Sequence, residues 1–451
     1  MKITFCGGAQ SVTGANYLLD VNGFRFLVDC GLFQGSSYAE ELNYQPFPYN
    51  PHKISALCVT HSHTDHIGRI PKLWKDGFRG EIYATEPAVD LIKVALPDNA
   101  NIIADEAGRM GREPLFSEED VEGAVKLLSP VKYYKKIKLN EDVSVVFHNA
   151  GHVLGSAVLE VQAEGKKIYF TGDLGNPPTP LLPYPDKITD ADYVIVESAY
   201  GDRIHEDKLQ RKNILEKTIE DTVSRGGVLM IPSFALERTQ ELLYELNELV
   251  ENNRIPKVPI FIDSPLAIRI TDVYKKYQSY FNSSATHVIK SGDNIFDFPG
   301  LVMTLTAEES KAINNVKPPK IIIAGSGMSN GGRIIHHEKR YLSDPKSTIL
   351  FVGYQAAGTL GRRILEGESS VKMFGEDIKV RCSIRSIGGY SAHADQAQLV
   401  EWIKNSNINK KLKKVFVVQG EPEASLSLAT LLKDRELIDS YAPKSGEEVI
   451  I

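Results

Sequence analysis

Cysteine is scarce. The 451 residues include four, Cys6, Cys30, Cys58 and Cys382, and no two stand in a Cys-x-x-Cys pair. That spacing indicates neither a disulfide framework nor a thiolate zinc site. Long apolar runs are also missing, and none approaches the roughly 20 residues that a bilayer-spanning helix needs. The chain opens on a strand-like Met1-Lys2-Ile3-Thr4-Phe5 with no basic segment leading into an apolar one. We therefore expect no signal peptide and a cytoplasmic address.

An excess of positive charge is lacking as well. Lys and Arg number 52 against 58 Asp and Glu, a formal net charge of −6. Nucleic-acid binding usually leaves a basic footprint. Any such role here must rest on local charge, with bound cations or a few arginines dominating a cleft. The lysine clusters Tyr133-Tyr134-Lys135-Lys136-Ile137-Lys138 and Asn409-Lys410-Lys411-Leu412-Lys413-Lys414 read as solvated faces or turns. The remaining composition, 42% apolar and 24% charged, is that of a soluble globular protein, and the length suggests two to three core units.

Histidine is concentrated instead. His61-Ser62-His63-Thr64-Asp65-His66 holds three of the eleven histidines and a carboxylate within six residues. Imidazole nitrogen and carboxylate oxygen suit zinc and its transition-metal neighbours. The preceding Ala56-Leu57-Cys58-Val59-Thr60 reads as a buried strand, which puts the ligands on a loop at a strand's C-terminal end. One loop rarely closes a catalytic site, and other strand ends offer more ligands. His152 lies in Ala150-Gly151-His152-Val153-Leu154-Gly155, after the apolar run Val143 to Phe147. Asp173 follows Ile168-Tyr169-Phe170, and Asp29 follows Phe26-Leu27-Val28. Singly, an aspartate before glycine is a turn residue. In this order and at strand ends, the set points to a metal centre.

The order Asp29, His-x-His-x-Asp-His, His152, Asp173 resembles the metallo-β-lactamase superfamily. That resemblance implies an αββα sandwich with a two-zinc site. His61, His63 and His152 would hold one Zn2+, Asp65 and His66 the other, and Asp173 would bridge them. Asp29 would orient a ligand from the outer shell. Further segments narrow the resemblance to the β-CASP branch, the nucleases of RNA processing and DNA repair, and to prokaryotic relatives of the cleavage and polyadenylation nuclease. These are Val196-Glu197-Ser198-Ala199-Tyr200-Gly201-Asp202, Ile231-Pro232-Ser233-Phe234, Ile262-Asp263-Ser264-Pro265, Ser326-Gly327-Met328-Ser329-Asn330-Gly331-Gly332-Arg333 and Gly389-Tyr390-Ser391-Ala392-His393-Ala394-Asp395. The resemblance implies that His393 completes the second zinc's ligand set. Asp65 would orient the nucleophile and could take its proton, while Glu197 would act as structural support or as proton donor to the leaving oxygen. We expect no RNA-binding domain ahead of Met1, unlike in some archaeal relatives.

From about His205 the texture changes. Leu215, Ile219 and Val223 mark a helix over 205–224, and Leu242, Leu243, Leu246, Leu249 and Val250 a second. The apolar runs Val228–Ile231, Pro259–Ile262, Ile321–Ala324 and Thr348–Gly353 alternate with such helices. That alternation argues for a parallel, Rossmann-like sheet. We place the metallo-β-lactamase domain at 1–205 and 375–451 and the inserted β-CASP domain at 206–374, the insertion forming a lid over a cleft. In the glycine-rich turn, Ser329, Asn330 and Arg333 are candidate phosphate contacts, with Arg238 a fourth.

Three positions depart from the family pattern. The β-CASP histidine that assists the leaving-group acid has no clear counterpart, with Arg362, Arg363, His336 and His337 as alternatives. Gln419 stands where many relatives have a histidine, and an amide cannot titrate. Glu237 precedes Arg238 where a small residue is expected. The reading that follows is hydrolysis of single-stranded RNA to 3′-hydroxyl and 5′-phosphate ends, with room left for a homodimer. A small-molecule hydrolase of the glyoxalase or lactamase type does not account for the insertion, and a diiron redox protein lacks its flavin domain. A non-catalytic scaffold would have lost ligands that are all present here.

Overall fold

Strands of this chain carry apolar residues on both faces because both faces are covered. In Phe24–Val28, Phe26 and Val28 enter a core shared with Phe147, Ile168 and Phe170, while Leu27 packs with Leu57, Ile70 and Ile92. In Tyr193–Val196, Ile195 joins the shared core, and Val194 and Val196 pack with Leu399, Trp402 and Leu428. Three apolar layers therefore separate helix, sheet, sheet and helix, which is an αββα sandwich.

The computed structural model describes residues 1–35, 37–205, 210–356 and 358–451. They form two compact units, Met1–Ile204 with Ala392–Ile451, and His205–Ser391. In the first unit, one seven-stranded sheet runs in the order 448–450, 2–7, 16–21, 24–28, 56–58, 81–85, 128–131. The other runs 440–441, 414–417, 193–196, 166–170, 157–163, 143–149, 137–138. Helices Ile70–Lys75, Glu86–Met110 and Glu118–Val125 supply the layer on the first sheet, and Gln396–Ser406 and Pro422–Asp434 the layer on the second. Parallel pairing of Lys414–Val417 with Tyr193–Val196 brings the returning chain into the second sheet.

The inserted unit is built on a six-stranded sheet in the order 301–303, 260–263, 320–324, 228–232, 348–351, 383–386, and every neighbouring pair is parallel. The four apolar runs supply four of these strands, in agreement with the expected Rossmann-like sheet. The helices lie at Arg211–Ser224 and Arg238–Glu251, and the part of the first expectation at 206–209 falls outside the described residues. As a compact unit the insertion runs to Ser391, because Ser383–Ser386 pairs with Thr348–Phe351. No helix among the described residues is long and apolar enough to cross a membrane.

Candidate metal centre

Four strand ends of the first unit carry the candidate ligands. Asp29 directly follows Phe24–Val28, while His61, His152 and Asp173 each stand three residues past the ends of Ala56–Cys58, Val143–Asn149 and Lys166–Phe170. Glycine lets these loops close on one another. A Cβ on Gly31 would sit 1.5 Å from the Asp65 carbonyl oxygen, and one on Gly175 would sit 1.9 Å from that of Gly151. The Gly175 N–H donates to the Ala150 carbonyl at 2.8 Å, which draws the His152 and Asp173 loops together.

His61 Nε2, His63 Nδ1 and His152 Nε2 then converge, with His63 Nδ1 at 3.1 Å from each of the others. Asp173 Oδ2 is 3.3 Å from His61 Nε2 and 3.4 Å from His152 Nε2. Tetrahedral ligands at the usual Zn–N length of about 2.0–2.1 Å stand about 3.3 Å apart, so the spacing fits one small cation. The other Asp173 oxygen, Oδ1, faces His66 Nε2 at 3.4 Å, and Asp65 Oδ2 is 3.7 Å from the same nitrogen. Asp173 thus presents one oxygen to each cluster.

The outer groups set the tautomers that such ligation needs. Asp29 is fully buried and accepts from the Thr60 N–H, the Thr60 hydroxyl and His66 Nδ1, at 2.7, 2.8 and 2.8 Å. Because the Thr60 hydroxyl proton goes to Asp29, its oxygen accepts from His61 Nδ1 at 3.1 Å. His152 Nδ1 donates to the Ala392 carbonyl at 3.2 Å. Each Nδ1–H is therefore bound outward, and the Nε2 lone pairs of His61, His66 and His152 face the centre. Thr60, absent from the expected site, ties Asp29 to His61.

Electrostatics agree for three of the four rings, whereas at His66 burial is outweighed by the Asp173, Asp29 and Asp65 carboxylates, which raise the imidazole well above the ordinary range. Burial, reinforced by neighbouring imidazoles, holds His61, His63 and His152 below the ordinary histidine range, so their rings stay neutral. Burial works against charge on Asp173 too, but His66, His61 and His393 pull its carboxyl well below the usual range. Burial raises Asp65 and Glu197.

His393 is placed differently from the expectation. It gathers with Asp173 and Glu197 rather than with Asp65 and His66. Its Nδ1 is 3.0 Å from Glu197 Oε2 and 3.8 Å from Asp173 Oδ2. The reason is topological: Ala394 N–H binds the Leu174 carbonyl, and a bridge pairs Gly175 with His393, so the ring enters from the Asp173 loop. Glu197, fully buried, also accepts the Leu174 N–H at 2.5 Å. Burial would strip the proton from His393, but the Glu197 and Asp173 carboxylates outweigh it and lift the imidazole to about 10. The group beside His66 is Gln419, whose side-chain Nε2 is 2.7 Å from His66 Nε2. Sequence reasoning noted its departure from histidine but not its neighbour.

The four phosphate candidates lie in the inserted unit, with polar atoms turned to internal use. Arg333 donates to Asp263 Oδ1 at 2.7 Å and to the Thr304 and Leu305 carbonyls. Buried Arg238 donates to the Val352 carbonyl and lies over the Tyr390 ring. Buried Ser329 donates to Glu338 at 2.5 Å, and exposed Asn330 accepts the Leu360 N–H. Among the alternatives for the missing histidine, His337 binds Asp263 and His336 stacks on Phe374. Arg362 and Arg363 pair with Glu366 and Glu368.

Glu338 carries a consequence for stability. Burial pushes its carboxyl up to about 8, against the single opposing hydrogen bond from Ser329. The folded chain keeps this proton up to about pH 8, whereas an unfolded glutamate releases it near 4.3. The stabilisation is complete below the unfolded value and is lost as pH rises towards 8, on the order of several kcal/mol in all. Glu338→Gln, which has no proton to lose, should remove that decline. Thermal melts from pH 5 to 9 check it: the wild-type curve should fall relative to the variant's, and parallel curves would refute the buried neutral acid.

A buried histidine–aspartate centre at the strand ends of an αββα sandwich defines a metal-dependent hydrolase. Three family descriptions match the chain: a metallo-beta-lactamase superfamily domain over residues 18–175, a Beta-Casp domain over 239–364 and a Zn-dependent metallo-hydrolase RNA specificity domain over 377–443. The chain belongs to the β-CASP branch of the metallo-β-lactamase superfamily. It is 39% identical to Ribonuclease TTHA0252 of Thermus thermophilus over 96% of each chain. It is 32% identical to an RNase J-like protein of Methanocaldococcus jannaschii over 98% of each. The whole chain also aligns, at 31% identity, with 71% of the transcription termination factor FttA of Methanosarcina mazei. A crystal structure of a protein of unknown function from Enterococcus faecalis shares the fold, at a TM-score of 0.56 and 10% identity over 100% of this chain and 99% of that one.

Proposed function

We propose that this chain is a zinc-dependent ribonuclease that hydrolyses single-stranded RNA in the cytoplasm, leaving 3′-hydroxyl and 5′-phosphate ends. The observation that carries the reading is Asp173, one oxygen turned to the three-histidine cluster and the other to His66. His61, His63 and His152 would hold one Zn2+, Asp65 and His66 a second cation, and Asp173 both. When bound, the cations supply Lewis acidity at the scissile phosphate and a water acidified towards neutral pH. Asp65, 20% exposed at its side chain, is the carboxylate that can reach that water's proton. Asp29 holds His66 in the tautomer that leaves Nε2 free. The Glu197–His393 pair keeps a proton beside Asp173, in position for the leaving oxygen. Asn330 and the backbone amides of its turn remain the groups for a phosphate contact in the inserted unit. Ribonuclease names among the relatives favour RNA over a small-molecule substrate.

The test uses RNA labelled at either end, with matched DNA and a chelated control. The expected result is cleavage of RNA in the zinc-loaded protein, abolished by chelation, with a 5′-phosphate on the downstream product. Cleavage that survives complete metal removal, or turnover of a lactam or thioester but not RNA, would overturn the reading.

A further inference from the structure

The two cation positions differ in donor chemistry. The first draws on His61, His63 and His152, three imidazole nitrogens, beside one oxygen of Asp173. The second draws on a single nitrogen, that of His66, with the carboxylates of Asp65 and Asp173. Three protein donors leave one position of a four-coordinate cation for water or a further donor.

Gln419 reaches the one nitrogen of that set. It follows the strand Lys414–Val417, its N–H donates to the Gly8 carbonyl at 2.6 Å, and its φ of 47° is uncommon outside glycine. The side chain is 3% exposed and meets His66 at Nε2, the ring nitrogen that Asp29 leaves free. At its other end, Oε1 accepts from the Tyr17 hydroxyl at 3.4 Å. A half-turn of the amide about Cγ–Cδ exchanges oxygen and nitrogen within one envelope. Oε1 then faces His66, and the NH2 group faces a tyrosine oxygen that accepts as readily as it donates.

We propose that the Gln419 carboxamide oxygen is the fourth donor at the second position, which makes the two positions unequal: zinc at the nitrogen-rich one, and a harder, oxygen-preferring divalent cation such as Mn2+ at the other. This rests on the reading of the His–Asp cluster as a metal centre. Imidazole-rich sets suit zinc, whereas carboxylate and carbonyl oxygens suit manganese and magnesium. A neutral amide oxygen is also a poorer zinc donor than an imidazole nitrogen, so zinc is held more loosely there.

Full-length protein stripped with chelator and titrated with Zn2+ and Mn2+ tests this. The readouts are calorimetry, elemental analysis and the Mn2+ electron paramagnetic resonance signal. The expected result is one tightly held zinc and a second at least about tenfold weaker, with one equivalent of Mn2+ binding to the one-zinc protein. Gln419→His should tighten the second zinc by about 10–100-fold and reduce the preference for Mn2+. Gln419→Leu should lose the Mn2+ site while keeping the first zinc, whose retention reports a folded centre. Gln419→Glu should keep Mn2+. Two zinc ions of equal affinity, with Gln419→Leu unchanged in stoichiometry, would overturn the proposal and leave the metal centre standing. A wild-type chain that holds no tight zinc would instead overturn the metal centre itself.

Discussion

Asp173→Asn is expected to reduce RNA cleavage to less than about one part in 10^4 of the wild-type rate, a barrier increase of about 5 kcal/mol or more. The substitution keeps the side chain's shape but removes the only carboxylate that serves both clusters. Asp173 Oδ2 stands 3.3 Å from His61 Nε2, and Oδ1 stands 3.4 Å from His66 Nε2. An amide in its place offers one weakly donating oxygen and turns an NH2 group towards the other cluster, where it opposes a cation. The first position keeps His61, His63 and His152, so zinc content should fall towards one per chain rather than none. The sandwich should stay folded, because its core is the shared layer of Phe26, Phe147, Ile168 and Phe170. Elemental analysis and single-turnover cleavage of end-labelled RNA check both parts. Activity within tenfold of wild type, at two cations per chain, would remove Asp173 as the shared ligand.

Much of this centre was legible because its chemistry is written in short runs. A buried strand followed at once by His61, His63, Asp65 and His66 specifies donor type and place together, and the same holds for Asp29 and Asp173. The inserted sheet was legible for a related reason. Parallel strands buried on both faces are continuous apolar runs, and Val228–Pro232 and Lys320–Ala324 are buried at every residue. Its sixth strand was not, because Ser383-Ile384-Arg385-Ser386 is a half-exposed edge strand with no apolar run to announce it. Nor can a glycine-rich turn reveal which way its arginine forks. Arg333 is paired with Asp263, seventy residues earlier, a partner that only the sheet order brings near. The neighbours of His393 and Gln419 were not legible for the same cause. Both belong to the stretch that returns after the insertion, and sequence order does not say which reaches His66. Pairing does: His393 bridges to Gly175 while Gln419 follows the strand beside Tyr193–Val196.

That difference makes His393 a sharper test than a ligand would be. His393→Ala and Glu197→Gln should each lower RNA cleavage by about 10^2–10^4-fold, the range for loss of a positioned acid. Both should keep the wild-type content of cations, because the ring lies 3.0 Å from Glu197 and gathers with Asp173 and Glu197 rather than with Asp65 and His66. The leaving oxygen of RNA is a sugar alkoxide and needs a proton, whereas a nitrophenolate departs without one. On an aryl phosphodiester the two variants should therefore lose far less than on RNA. The double variant should be little worse than either single one, since Glu197 acts through the imidazole it holds. A merely structural role would depress both substrates equally, and a ligand role would remove a cation along with the activity. Equal losses on the two substrates, or a His393→Ala protein holding one cation fewer, would take the proton away from this pair and return His393 to the second position.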